Sequence, residues 1–191
     1  MDTPRLRKAT YGQAEALTFA DPSAIVDQLD IELKSQVADF GCGSGFFSFE
    51  FAKHIGAEGV VHAFDILPSA LEAVVSRAKI LNLSNIITKR VNLEKEGGSG
   101  LAPQSMDWVV IKDVLFQNKN KKLILEEAAR ILKSGGHAIL MEWDPRKSLV
   151  GPDAGLRVTP EQLRTLVDAA NLAVEKELNV GGFHYAFLVK K

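Results

Sequence analysis

The sequence carries a single cysteine among 191 residues. No internal disulfide can form, which suits a reducing compartment and predicts a cytoplasmic protein. No apolar run approaches the roughly 20 residues that a membrane-spanning helix needs, so no membrane span is expected. A surplus of either charge is missing too: 23 basic residues against 24 acidic ones leave a net charge of −1. Such a chain has no broad electrostatic footprint for a polyanion, which disfavours nucleic acid as a partner. Arg5, Arg7 and Lys8 make one small basic cluster, read as a solvated tail. His54, His62, His137 and His184 are scattered, and none stands at metal-ligand spacing from another His, Cys or Asp. No metal is expected. Neither a repeat nor a linker divides the chain, and its length predicts one domain over residues 1–191. Residues 1–20 have weak periodicity and are set apart as an N-terminal lid segment.

What the sequence does have is glycine at alternate positions in Val37-Ala38-Asp39-Phe40-Gly41-Cys42-Gly43-Ser44-Gly45. An apolar run, an acid and this turn lead into Phe46 to Ile55, a helical stretch closed by Gly56. Strand, glycine loop and helix in that order open a βαβ unit. Glycine is needed where the chain reverses sharply or where a ligand touches bare backbone. The dinucleotide fingerprint spaces its glycines G-x-G-x-x-G and cradles a pyrophosphate. Here Gly45 follows Gly43 by two residues, giving D-x-G-x-G-x-G. The loop alone leaves its ligand open. Cys42 holds a variable position within it, read as a small packing residue and not as a nucleophile.

The rest of the chain continues the alternation of strand and helix. Asp21-Pro22 opens a short helix with Ile25, Val26 and Leu29 on its apolar face. Val60 to Ile66 is an apolar strand of the kind that a parallel sheet buries on both faces. Asp65, near its end, falls about 20 residues past the glycine loop, where a carboxylate can accept both hydroxyls of an adenosine ribose. Pro68 opens a helix with Leu71, Val74, Val75, Ala78 and Leu81 on one face. Ile86 to Asn92 and Met106 to Asp113 are the next two strands. Asn120 to Lys133 is a helix with a Glu126–Arg130 pair, stopped by Gly135-Gly136, and His137 to Trp143 is a fifth strand. Thr159-Pro160-Glu161-Gln162 is a capping box for a helix facing inward through Leu163, Leu166, Val167 and Ala170. Ala173 to Val180 alternates as an edge strand. Tyr185 to Val189 is apolar on both faces, so this last strand must lie inside the sheet, inserted antiparallel through a hairpin at Gly181-Gly182.

Two blocks carry a resemblance. The D-x-G-x-G-x-G loop resembles the first motif of the class I S-adenosylmethionine-dependent methyltransferases. Leu123 to Trp143 resembles the leucine-x-glutamate-x-x-arginine-x-leucine-lysine-x-glycine-glycine block of their small-molecule members, the ubiquinone/menaquinone C-methylases among them. Together the likeness runs over roughly residues 19 to 191. It implies an α/β fold, a doubly wound Rossmann-like sheet of seven strands in the order 3-2-1-4-5-7-6, with helices on both faces and the last strand antiparallel. It implies S-adenosyl-L-methionine as cofactor and S-adenosyl-L-homocysteine as product. Gly41, Cys42, Gly43 and Gly45 would run beneath the methionine part, and Asp39 would orient its amino group. Asp65 would hold the ribose, Ile66 would lie against one adenine face, Asn92 and Leu93 would meet the adenine, and Lys112 would border the pocket. The pair Asn92-Leu93 departs from the Asp-Ala more frequent in the family. Tyr11 would lie over the sulfonium as part of the lid, a surface tyrosine being the alternative.

Transfer from a sulfonium is an in-line displacement at an already activated methyl group, so positioning can supply up to about 7–11 kcal/mol. A base is required only when the nucleophile carries a proton. Asp113, Asp144, Arg157 and the pair His184-Tyr185 are expected at the carboxyl ends of the strands, where such ligands bind. Asp113 is the base or substrate-positioning candidate, with a helix-capping acid as the alternative. His184 and Tyr185 flank a turn and read equally well as structural. Three functions compete. The favoured one is methyl transfer to a small or lipid-like acceptor. An RNA methyltransferase is opposed by Met141-Glu142-Trp143, where ribose 2′-O enzymes have a lysine, and by Lys112-Asp113-Val114-Leu115, where N-methylating ones have Asn/Asp-Pro-Pro-Tyr. A non-catalytic nucleotide-binding module is the third. Neither acceptor nor oligomeric state can be read from these residues.

Overall fold

A strand that is apolar along its whole length has to be covered on both faces. In β1 (Gln36–Phe40) every residue from Val37 to Phe40 is at most 3% exposed. The computed structural model, which describes residues 19–147 and 150–191, sets this strand inside a seven-stranded sheet. The other strands are β2 (Val60–Asp65), β3 (Ile86–Arg90), β4 (Met106–Lys112), β5 (Leu132–Trp143), β6 (Ala173–Leu178) and β7 (His184–Lys190). Their order is β3-β2-β1-β4-β5-β7-β6. The first five pair in parallel, whereas β7 runs antiparallel to both β5 and β6. The doubly wound sheet with its inserted last strand is as expected.

Helices α1 (Pro22–Val26), α2 (Phe46–His54) and α3 (Pro68–Ile80) cover one face through Ile25, Phe51, Ile55 and Val74. On the other face, α4 (Lys121–Ile131) and α5 (Pro160–Ala169) bury Leu125, Ala128, Leu163 and Val167 against Phe40, Ile111 and Phe187. Side chains of this size contribute about 1.5–3 kcal/mol each when fully buried. Local signals and packing agree at two helix starts. Asp21 caps α1 by accepting from the Ser23 N–H, and Thr159 with Gln162 forms the reciprocal capping box of α5. Among the described residues no helix is long and apolar enough to cross a membrane.

Three local expectations are corrected. The fourth helix stops at Ile131, not Lys133, and Leu132 is already extended with φ −63° and ψ 137°. Leu132 is fully buried and pairs with Met106 of β4, so burial draws it into the sheet before the glycines are reached. On α3, Val75 and Leu81 are turned to solvent, leaving Leu71, Val74 and Ala78 as the buried stripe. Glu126 pairs with Lys122, and Arg130 turns instead to Glu127.

That last exchange has a structural consequence. Glu127 is 3% exposed, and its carboxylate accepts from the Ser99 backbone N–H and hydroxyl as well as from Arg130. Arg130 in turn donates to the Leu101 carbonyl. The glycine-bearing loop between β3 and β4 is thereby tied to α4 by charge-assisted bonds, in place of an apolar core of its own. Glu127→Ala leaves buried donors at Ser99 unpaired and is expected to cost about 2–4 kcal/mol. Urea unfolding monitored by circular dichroism measures this; a loss below about 0.5 kcal/mol, the size of an ordinary surface substitution, would contradict the tie.

Candidate functional site

The order β3-β2-β1-β4 means that the chain leaves β1 toward one side of the sheet and returns to its other side at β4. Between the carboxyl ends of such strands lies the crevice where open α/β sheets bind ligands. Two loops meet there, one after β1 and one after β4. Their approach is close. At Gly41, with φ +69°, an added Cβ would stand 2.5 Å from Val114 Cγ2. Gly45, which starts α2 at φ +80°, is pressed between Val74 and the Phe49 ring at 2.8 and 2.9 Å from a would-be Cβ. Neither position admits a side chain in space or in backbone conformation. At Gly43 the same construction meets nothing within 4 Å, so this part of the loop presents bare backbone to open space.

That space is a cavity of about 630 Å³ bordered by Asp39, Gly43, Asp65, Lys112, Asp113 and His184. A recess of about 160 Å³ adjoins it, formed by Asp65, Ile66, Asn92 and Leu93 with Gly41 shared between the two. Asp65 stands at the junction. Its Oδ2 accepts from the Gly43 N–H at 3.0 Å and its Oδ1 from the Leu67 N–H at 2.9 Å, which fixes the carboxylate and leaves it free lone pairs. Another hollow, of about 220 Å³, lies at the opposite end of the strands, but its Asp107 is already bonded to the Gln36 N–H and Lys133.

Asp39 is buried, with Oδ2 accepting from Ser48 Oγ at 2.6 Å. Burial pushes its pKa up to about 6 against the pull of that hydrogen bond. Cys42 packs with Phe49, Leu71 and Val74, and burial followed by the nearby Asp39 and Asp65 charges pushes its thiol strongly up. It stays protonated, as a packing residue would.

On the β4 side, Asp113 is held at φ +56°, a left-handed conformation that is uncommon outside glycine and concentrates at functional sites. Its carboxylate contacts Lys112 Nζ and lies 3.1 and 3.3 Å, through its two oxygens, from His184 Nε2. Burial raises the Asp113 pKa, but the bonds from His184 and Lys112 outweigh it and hold the group below the usual carboxylate range. The His184 ring lies against Trp143, centroids 4.3 Å apart. Below them Glu142 is fully buried. Its Oε1 accepts from the Leu115 N–H at 2.7 Å, its Oε2 has no partner among the described residues, and burial raises its pKa to about 8.

Three residues expected at the rim are turned inward, and this is a correction. Arg157 is 6% exposed and donates to the carbonyls of Asp144, Lys147, Val150 and Pro152 at 2.6–2.9 Å, so its guanidinium organises the loop after β5. Both Asp144 oxygens bind Arg146, and the Tyr185 hydroxyl donates to the Val158 carbonyl. Arg157 and Tyr185 are drawn in by backbone carbonyls, and Asp144 by the neighbouring guanidinium. Tyr11 lies outside the described residues. Reading the sequence missed Glu142, although an acid inside an apolar run was a signal for it, and it missed Phe19, Phe46 and Leu67, which stand 58–66% exposed at the cavity mouth.

The model of a methyltransferase domain family matches residues 31–177, and the chain belongs to that family, the class I S-adenosylmethionine-dependent methyltransferases. The ubiquinone/menaquinone biosynthesis C-methyltransferase of Haemophilus ducreyi is 31% identical over 120 residues, which are 62% of this chain and 45% of that protein. An arsenite methyltransferase of Aquipseudomonas alcaligenes is 30% identical over 105 residues, 53% of this chain and 30% of that protein. The chain thus spans less than half the length of these relatives. In fold, the crystal structure of a SAM dependent methyltransferase from Aquifex aeolicus matches with a TM-score of 0.81 at 19% identity, over 90% of this chain and 89% of that one. S-Adenosylmethionine is the cofactor of the family, and the residues present suit it. The buried Asp39 has a hydroxyl where an ammonium would neutralise it, and Gly43 offers bare backbone. Asp65 is a fixed carboxylate beside a recess that Ile66, Val91 and Leu93 line together with Asn92.

Glu142 makes stability depend on pH. Its folded pKa of about 8 stands above the ordinary value of 4.5, so its contribution is full below about 4.5 and is lost as pH climbs through about 8. His62, whose pKa burial and the nearby Lys89 charge depress, works in the opposite sense only below its ordinary value of 6.5. The urea midpoint of the parent should therefore fall between about pH 6.5 and 8 and level off above that, and Glu142→Gln, which cannot ionise, should fall less over the same window. Equal slopes for the two proteins would contradict the buried, protonated state of Glu142.

Proposed function

We propose that residues 1–191 act as one domain that transfers the methyl group of S-adenosylmethionine to a small, largely apolar acceptor. The observation that carries this reading is the Asp65 carboxylate, fixed by Gly43 and Leu67 where the cavity meets the recess. In this reading Asp65 receives the ribose hydroxyls, and Ile66, Asn92 and Leu93 take the adenine. Asp39 holds the amino group, and Gly41, Cys42 and Gly43 run beneath the methionine chain with Gly45 anchoring the turn. Lys112 borders the same space. When bound, the cofactor supplies a methyl group activated by the positive charge on sulfur. The chain contributes alignment and exclusion of water, terms that together reach several kcal/mol in such reactions.

An apolar acceptor is supported by the mouth of the cavity. Phe19 lies against Phe183 at 5.3 Å between centroids, and Phe46 and Leu67 add exposed apolar surface beside it. Exposed apolar surface at a cleft marks a binding face. The quinone named for the Haemophilus ducreyi relative is an acceptor of this character. Arsenite is less suited. As a soft thiophilic centre it calls for several thiolates, and this chain offers one cysteine, Cys42 within the glycine loop, with its proton held on.

Titration calorimetry with S-adenosylhomocysteine tests the cofactor reading, with saturable heat expected and none with NAD. Each charge-assisted bond to Asp65 is worth about 1.5–3 kcal/mol. Some of this is recovered by water, so Asp65→Ala should weaken binding about 30-fold to 1000-fold. Because Asp65 also ties down Gly43 and Leu67, the same variant should melt a few degrees lower. Affinity unchanged within about threefold would remove Asp65 from the ribose site.

A further inference from the structure

An acceptor that attacks through an atom bearing a proton needs somewhere for that proton to go. Asp113 borders the cavity but is a poor receiver. Its Oδ2 takes the bonds of both Lys112 and His184, and although Oδ1 has no hydrogen-bond partner among the described residues, the two neighbours hold the group in its charged, weakly basic form. His184 is better placed. It lines the same cavity from the first residue of β7, is 6% exposed, and has Nε2 directed at the Asp113 carboxylate. Its Nδ1 is buried and has no partner among the described residues. A buried ring nitrogen without a bond is costly unless something uses it.

We propose that His184 is the general base of the methyl transfer and Asp113 its positioning residue, so that the acceptor is a molecule whose nucleophilic atom carries a proton, such as a phenolic or hydroquinone hydroxyl or an acidic C–H. This rests on the cofactor reading above and narrows the acceptor class within it. A carboxylate facing Nε2 favours the tautomer with its proton there, which leaves the Nδ1 lone pair bare. It also stabilises the imidazolium that forms when Nδ1 accepts a proton. The ring cannot turn easily, because Trp143 lies against it and Asp113 is locked in its left-handed conformation.

The charges around the pair suit this role. Lys112 on β4 neutralises part of Asp113, Glu142 on β5 remains protonated near neutrality, and Asp144 beyond β5 is held by Arg146. In the step itself, Nδ1 takes the acceptor's proton while the acceptor's electron pair forms the new bond to the methyl carbon. With the cofactor bound, the pair of the carbon–sulfur bond would stay on sulfur as a neutral thioether, and the proton would pass from His184 to water afterwards. Atoms and charge balance without any further reagent. An acceptor reacting through a free lone pair, as a selenide does, would leave this machinery idle.

Nitrogen NMR of the histidine rings in labelled protein needs no acceptor and reads the tautomer directly. The expected spectrum of the neutral ring has the His184 proton on Nε2 and a bare Nδ1, with the Nε2–H population reduced in Asp113→Asn. A neutral ring with its proton on Nδ1 overturns the proposal, since that form cannot accept a proton there. For the acceptor side, naphthohydroquinone and dimethyl selenide serve as the proton-bearing and lone-pair probes. His184→Gln is expected to slow methylation of the hydroquinone by about 100-fold to 10,000-fold, with S-adenosylhomocysteine affinity within about threefold of the parent. Turnover of the selenide alone, or undiminished turnover of the hydroquinone by the variant, overturns it. Loss of S-adenosylhomocysteine binding by the parent would instead sink the cofactor reading, so the two failures are distinguishable.

Discussion

Everything at the site depends on how closely the loop after β1 approaches the loop after β4. The contact of Gly41 with Val114 sets that distance, since any side chain at position 41 would meet Val114 Cγ2 at 2.5 Å from its first carbon. With the loops this close, Asp65 at the end of β2 can reach across to the Gly43 N–H, and the cavity opens between Gly43 and the pair Asp113–His184. The glycines are therefore a packing requirement first. Their ligand-binding consequence, bare backbone at Gly43, follows from the same geometry.

The carboxyls around the cavity are divided by their surroundings. Asp39 and Glu142 are buried with few donors and hold protons well above the ordinary carboxylate values, whereas Asp113 is held ionised by His184 and Lys112. Low-dielectric surroundings make such differences large and make each unpaired atom costly. A cationic amino group brought beside Asp39 would reverse its condition by supplying the opposite charge that burial has removed. Glu142 has no such visitor. It stays neutral because burial disfavours its charge.

Much of this was visible in the amino-acid order, and the reasons are physical. Continuous apolar runs at Val37 and Val60, and the two-faced apolar run at Tyr185, can be satisfied only inside a sheet, which made these interior strands and the antiparallel ending readable, whereas the full strand order came from the family resemblance. The capping box at Thr159 and the spacing from Gly41 to Asp65 are local or nearly local signals. What stayed hidden depends on partners distant in the chain. Leu132 leaves the helix because Met106 lies across from it, and Arg130 chooses Glu127 over Glu126 because Ser99 is on that side. Arg157, Asp144 and Tyr185 looked like rim residues because they follow strand ends. Unsatisfied carbonyls and a neighbouring arginine, which no periodicity reports, turn them inward. The left-handed backbone at Asp113 is equally silent in the sequence.

A crystal structure of the chain grown with S-adenosylhomocysteine tests the arrangement most directly. The expected result places both ribose hydroxyls within hydrogen-bonding distance of the Asp65 carboxylate, the adenine in the recess of Ile66, Asn92 and Leu93, and the amino group beside Asp39. The sulfur should then face the open space bounded by Asp113 and His184. A ligand whose ribose lies away from Asp65, or one bound at the opposite end of the strands, would contradict it.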